Sequence, residues 1–204
     1  MILVWKSPEN YSEKLLGSHD LDSGAYETKG SNFEYLTLSS GLSYPTHMDK
    51  PSVFFCCPAK RLLKFDCLWL LSDAPLVSIR FADFLRTHAG DDVELIEPQI
   101  MNASGAEITG EFLVVNAVSK VDVVDMEKST AELSDKGNVI FFKTVHLKDD
   151  GMGVRHIARE ARSRDLLITE ALAEKMIEAG FKGDKGLGFY RNEHGRFTPY
   201  KGQA

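Results

Sequence analysis

Two stretches of this chain spell one phrase. Residues 75–90 read PLVSIRFADFLRTHAG and residues 166–180 read LLITEALAEKMIEAG. Laying Thr169 over Ser78 puts Ile168 on Val77, Leu172 on Phe81, Ala173 on Ala82, Glu174 on Asp83 and Met176 on Leu85. Each phrase runs from an apolar pair to a hydroxyl residue, then through an amphipathic run to glycine. A serine or threonine just before helical periodicity is an N-cap, because its side-chain oxygen can accept from an amide of the first turn. A glycine just after the run is a stop, because it enters the left-handed conformation without steric cost. The repeat therefore predicts two similar strand–cap–helix units, capped by Ser78 and Thr169 and ended by Gly90 and Gly180.

Strands are expected to outnumber these helices. Ile2–Trp5 reads as a first strand and Glu34–Leu38 as another short one. Residues 39–52 carry Pro45 and Pro51, which cannot donate to a ladder, and read as a loop. SVFFCC, residues 52–57, is compatible with a buried strand. Asp92–Ile96 alternates as a strand does, and residues 110–127 are rich in β-branched residues, which predicts one or two strands. NVIFFKTVHL, residues 138–147, is the most convincing strand of the chain, and Leu187–Tyr190 is another. VRHIAREARSR, residues 154–164, fits helix and strand equally. Residues 7–31 offer few core candidates, and the tail from Asn192 reads as polar and loose. The expected class is α+β: a mixed, mainly antiparallel sheet with a few short helices. One domain is expected over residues 1–204, with a weakly patterned part at 1–65, a core at 66–190 and a polar tail at 191–204.

The 204 residues suffice for a substantial core, and 43% hydrophobic with 26% charged residues is a soluble, foldable composition. The net charge of −6 disfavours an unspecialised nucleic-acid binder and suits a basic protein partner. Cys56, Cys57 and Cys67 make a poor disulfide framework. No apolar stretch has the length of a membrane span, and MILVWKSPEN lacks the basic start of a signal peptide. The expected setting is the cytoplasm, with no membrane and no direct nucleic-acid contact.

Four constellations are candidates for chemistry. Asp122, Asp125 and Glu127 lie close enough in sequence to hold a divalent cation, but the glycine and terminal glutamate of a calcium loop are missing. The plainer expectation is that Asp125 caps a turn while the other two are solvated. Gly183, Gly186 and Gly188 suggest a phosphate loop, yet they precede an aromatic strand and not a helix N-terminus. Arg155, Arg159, Arg162 and Arg164 surround His156, with Glu160 and Asp165 among them as local partners. His19, His47, His88, His146, His156 and His194 show no metal spacing, and the three cysteines lack paired knuckles. A small metal- or phosphate-binding enzyme would need the carboxylates to converge with His146 or His156 in a cleft. No catalytic set, metal or cofactor is expected.

The second half resembles a known family. An apolar strand leads into VVNAVSKVDVVDMEKS (114–129), then NVIFFKTVHL, then LLITEALAEKMIEAGFKGDKGLGF. In its closing phrase Leu167, Ile168, Thr169, Glu170, Gly180, Gly183 and Phe189 match bacterial immunity proteins of polymorphic toxin systems, long catalogued as a domain of unknown function. The likeness covers about residues 66–190, and in the earlier phrase Ile79 stands where the family has glutamate. The resemblance implies a non-enzymatic immunity protein that binds and neutralises a cognate toxin domain. Contacts with such a partner call for aromatic anchors and complementary charge. The candidates are Trp69 and Tyr190 with Asp91, Asp92, Glu94, Asp149 and Asp150, and next to them Trp5 and Tyr200.

Overall fold

The computed structural model describes residues 1–19 and 30–201. Residues 20–29 of the weakly patterned stretch, and 202–204 of the tail, lie outside the described residues. In chain order the elements are β1 (Ile2–Trp5), β2 (Leu16–Gly17), β3 (Ser52–Phe54), α1 (Ala59–Leu62), β4 (Cys67–Leu70), β5 (Pro75–Ser78), α2 (Ile79–Ala89) and β6 (Val93–Ile96). They continue as β7 (Gln99–Met101), β8 (Glu107–Ile108), β9 (Phe112–Ala117), β10 (Lys120–Val121), β11 (Thr130–Leu133), β12 (Val139–Thr144) and β13 (Ile157–Glu160). The last are β14 (Leu166–Thr169), α3 (Glu170–Glu178), β15 (Phe189–Glu193) and β16 (Arg196–Pro199). Strands dominate and most pairings are antiparallel, so the fold is α+β.

The repeated phrase is the visible part of a larger duplication. One sheet runs β2-β4-β5-β9-β6 and the other runs β10-β13-β14-β1-β15, with β16 added at its edge. Directions match strand for strand: the first pair is parallel and the next three are antiparallel in both sheets. Registers match too. Leu76 faces Val114, which faces Ile96, and correspondingly Leu167 faces Val4, which faces Tyr190. Trp69 pairs with Leu16 and Pro75, as Arg159 pairs with Lys120 and Leu166. The N-terminal strand β1 thus occupies in the second copy the place that β9 occupies in the first.

Two helices and the inward faces of both sheets share one core. Cys67, Trp69, Val77 and Val115 meet Leu3, Trp5, Ile168 and Phe189 there, with Phe81 and Leu85 of α2 and Leu172 and Met176 of α3. Trp5 stands edge-on to Trp69 at 6.0 Å and donates from Nε1 to the Leu187 carbonyl at 2.9 Å. Outward faces are covered separately. Leu68, Leu70, Leu76 and Val114 pack under Phe33, Leu38, Val53 and Phe55, while Val4, Ala158, Leu167 and Tyr190 pack with Val121, Val123 and Met152.

The two copies cross-link reciprocally. The amides of Asp66 and Cys67, entering β4, donate to the Lys182 carbonyl beyond α3 at 2.6 and 3.0 Å. The amides of His156 and Ile157, entering β13, donate to the Asp92 carboxylate beyond α2 at 2.6 and 3.1 Å. Such exchange of equivalent contacts is the pattern of a two-fold arrangement, here within one chain.

Several expectations need correction. Glu34–Leu38 is no strand: Tyr35–Ser39 is a 3-10 helix held by local bonds, Thr37 amide to Glu34 carbonyl and Ser40 amide to Thr37 carbonyl. Ser78 caps α2 by accepting from the Phe81 amide at 3.3 Å, but Thr169 makes no such bond. The Thr169 hydroxyl lies 3.3 Å from His156 Nδ1, and the first amide of α3 donates to the Met1 carbonyl of the neighbouring chain end at 3.0 Å. Gly180 has φ +69, as its stop position requires, whereas Gly90 stays right-handed at φ −58. The ambiguous segment 154–164 contains strand β13. The tail is not loose, because β16 pairs with β15 and Tyr200 is buried, its hydroxyl bonding Glu170 and Glu174.

Candidate interaction surface

The residues singled out for partner contact divide into two groups. Trp69 is 1% exposed, inside the shared core, and Tyr190 is likewise buried, accepting from the Glu9 amide at 2.7 Å. Neither presents a surface to a partner, which corrects the expectation of aromatic anchors. Trp5 and Tyr200 are buried as well. Asp92 is buried as the cross-link just described, and Glu94 is half-buried, accepting from the Tyr44 amide and the Asn116 side chain. Asp91, Asp149 and Asp150 remain exposed. Asp149 and Asp150 border a hollow of about 320 Å³ with Met152, Glu170 and Glu174. Asp91 borders another of about 450 Å³ with Val154 and His156, so the loop before β13 lies between these acids.

Of the carboxylates considered for a metal, Glu127 is exposed and Asp122 and Asp125 are engaged otherwise. Asp122 receives two bonds from the Arg162 guanidinium at 3.0 and 3.2 Å, which holds its carboxyl below the ordinary range. Asp125 caps a turn, accepting from the Glu127 and Lys128 amides, and pairs with the Lys128 ammonium at 3.0 Å. They share a shallow hollow with Lys148 and Arg162, cations that compete for the space a metal ion needs, and His146 and His156 do not line it. Among the described residues no group of three or more metal-binding side chains converges. The glycine loop is built for close backbone contact: Gly188 has φ +87, a Cβ there would lie 1.8 Å from the Lys6 carbonyl, and the Lys6 amide donates to the Gly188 carbonyl at 2.9 Å.

The arginine cluster disperses around one buried member. Arg162 turns to Asp122, and Arg155 and Arg164 are exposed. Arg159 is 1% exposed and donates to the carbonyls of Leu38, Asp73 and Arg164, each at 3.0 Å. Burial lowers its pKa to about 10, so it stays cationic at neutral pH. Its neighbour Glu160 is also buried and accepts from the amides of Arg162 and Ser163 at 2.5 and 2.6 Å. Both charges therefore organise turns. A cleft of about 290 Å³ opens beside Arg159, bordered by Lys6, Tyr35, Asp73 and Asp165. Leu36, Ser39 and Arg164 line both it and a second hollow of about 420 Å³ that reaches Lys120 and Glu160. Burial raises the Asp165 carboxyl pKa, against the pull of Ser163, Lys6 and Arg159.

One exposed feature escaped the sequence reading. The most convincing strand forms β12, which among the described residues pairs only with β11, as a two-stranded ribbon. Its Ile140 and Phe141, and Leu133 opposite, are exposed large apolar residues. A run such as VIFF reads as core from sequence; the signal that it forms a hairpin was the SDKGN turn between the two runs.

Comparison with protein families matches the model of the immunity protein family (Imm11) to residues 17–191, a span that takes in the first sheet from Gly17 onward and leaves β1 and β16 of the second outside it. Comparison with curated proteins found no match. No helix among the described residues is long and apolar enough to cross a membrane. With a family match spanning far more than half of its length, the chain belongs to the Imm11 immunity protein family.

Proposed function

We propose that this chain is a non-enzymatic immunity protein that binds a cognate bacterial toxin domain in the cytoplasm and neutralises it. The observation that carries the reading is the family match over residues 17–191. The surface supports it in kind. Exposed apolar side chains stand on a projecting ribbon, and Asp91, Asp149 and Asp150 are free to act as rim charges that speed encounter with a basic partner.

The test is direct. The reading frame adjacent to this gene is searched for a large secreted protein with a C-terminal toxin domain, and that domain is co-expressed with this chain. Growth rescue together with co-purification is the expected result. If a domain that kills cells on its own still kills them, and does not associate at micromolar concentration, the assignment to that toxin is wrong. Replacing Asp149 and Asp150 by lysine should slow association at low salt and lose most of its effect at high salt.

A further inference from the structure

The two sheets carry insertions at equivalent places, between β2 and β4 and between β10 and β13. The first insertion folds back: Phe33, Leu38, Val53, Phe55 and Leu62 cover the outer face of its sheet. The second contributes Val123 and Met152 to the opposite outer face, but its β11–β12 ribbon adds no side chain to any of the three cores. Leu133, Ile140 and Phe141 of the ribbon are 51%, 60% and 47% exposed. A lone two-stranded ribbon is marginal in water, and an apolar run on it is a liability unless something covers it. Projecting from the molecule, it fits a concavity on a macromolecule and not a small ligand.

Charge and register narrow the occupant. The ribbon itself is balanced, with Glu132 and Asp135 against Lys136 and Lys143, so its centre has no field to attract phosphates. The chain just beyond it carries the exposed Asp149 and Asp150, and Lys128, beside β11, has its pKa raised chiefly by its bond to Asp125, with smaller contributions from Glu127 and Asp149. An apolar centre with an acidic border is complementary to an apolar depression edged by basic side chains. A second copy of this chain fits poorly. Like acidic borders would meet, and the register shifts that leave Ile140 and Lys143 unpaired interrupt the row of donors and acceptors that strand-to-strand pairing needs.

Building on the immunity reading above, we propose that the β11–β12 ribbon is the element that enters the toxin domain, with Ile140, Phe141 and Leu133 seated in an apolar, basic-edged depression on it. The experiment compares the full-length chain with the Ile140→Ser/Phe141→Ser variant and with Phe141→Ser alone. Thermal unfolding is measured first, and both variants should melt within a few degrees of the parent because these side chains are outside the cores. Titration calorimetry against the toxin domain of the adjacent reading frame, inactivated at its own catalytic residue, should then show Kd raised about 30-fold or more for the double variant. Unchanged affinity in a folded variant removes the ribbon from the interface while leaving the immunity reading intact. Failure of the parent chain to bind or protect overturns that reading and this proposal together. Sedimentation that shows a parent dimer, lost in the variant, assigns the ribbon to a second copy and overturns the proposal as well.

Discussion

Arg159→Met is the sharpest test of how the two halves are joined. Arg159 takes in the second copy the inward position that Trp69 takes in the first, and its guanidinium ties the Leu38 helix, the Asp73 turn and the Arg164 turn together. Methionine keeps much of the volume and none of the donors. Three hydrogen bonds from a charged donor, at about 1.5–3 kcal/mol each, give a gross loss of roughly 4–9 kcal/mol. Against this, removing a buried charge relieves a desolvation cost of several kcal/mol. The bonds win, because all three acceptors are main-chain carbonyls that cannot move away, and the net loss should be about 2–4 kcal/mol. Urea unfolding by linear extrapolation measures it, with an unchanged slope showing that the denatured state is the same. Arg159→Lys, which keeps the charge but not the fork, should fall between the two. A loss below about 1 kcal/mol for methionine would refute the clamp, because water from the adjacent cleft would then be satisfying the carbonyls.

Three further outcomes are expected. The Asp66 carboxylate accepts from Arg80, Ser78 and the Lys182 amide, which hold its pKa below the usual range in spite of burial. Such a group stabilises above its unfolded value of about 4, and that stability is lost as pH falls through the lower folded value. Asp66→Asn should thus cost about 1–3 kcal/mol at pH 7, with the two proteins converging in acid; a difference independent of pH contradicts the assignment. Gly188→Ala forces a Cβ onto the Lys6 carbonyl and should cost about 2 kcal/mol or more or prevent folding, whereas Gly105→Ala, with φ +75 but open space, should cost about 1 kcal/mol in thermal melts. Native protein should expose one thiol to a disulfide reagent, Cys56, while Cys57 and Cys67 react only after unfolding, since both are buried and burial raises their pKa. Three rapid thiols in the native state would contradict the core as described.

The legible features were those with local causes. Ser78 capped its helix because a serine after an extended residue can reach the next amides without outside help. Thr169 stood at the same place in the same phrase and did not cap; its hydroxyl lies 3.3 Å from His156 Nδ1, a partner brought by the neighbouring strand. The strands at Ile2–Trp5, Val93–Ile96 and Phe112–Ala117 followed from β-branched and apolar runs, but the equivalence of β1 and β9 had no sequence trace: their likeness is one of register, not of residues. The surface was least legible. Trp69 and Tyr190 look like anchors from their chemistry alone, and VIFF looks like core from its composition; each landed on the opposite side of the boundary.

What the sequence determined by itself was the pair of strand–cap–helix units, the α+β class and the immunity-family phrase, all of which depend on spacing within a few residues. What only the tertiary structure decided was which apolar runs are enclosed. Enclosure depends on neighbours far along the chain. Phe55 is sealed in a core with Ile100 and Ile108, its amide bonded to the Met101 carbonyl, and Arg159 by carbonyls from residues 38, 73 and 164, while Ile140 and Phe141 belong to no core cluster among the described residues and stay in solvent.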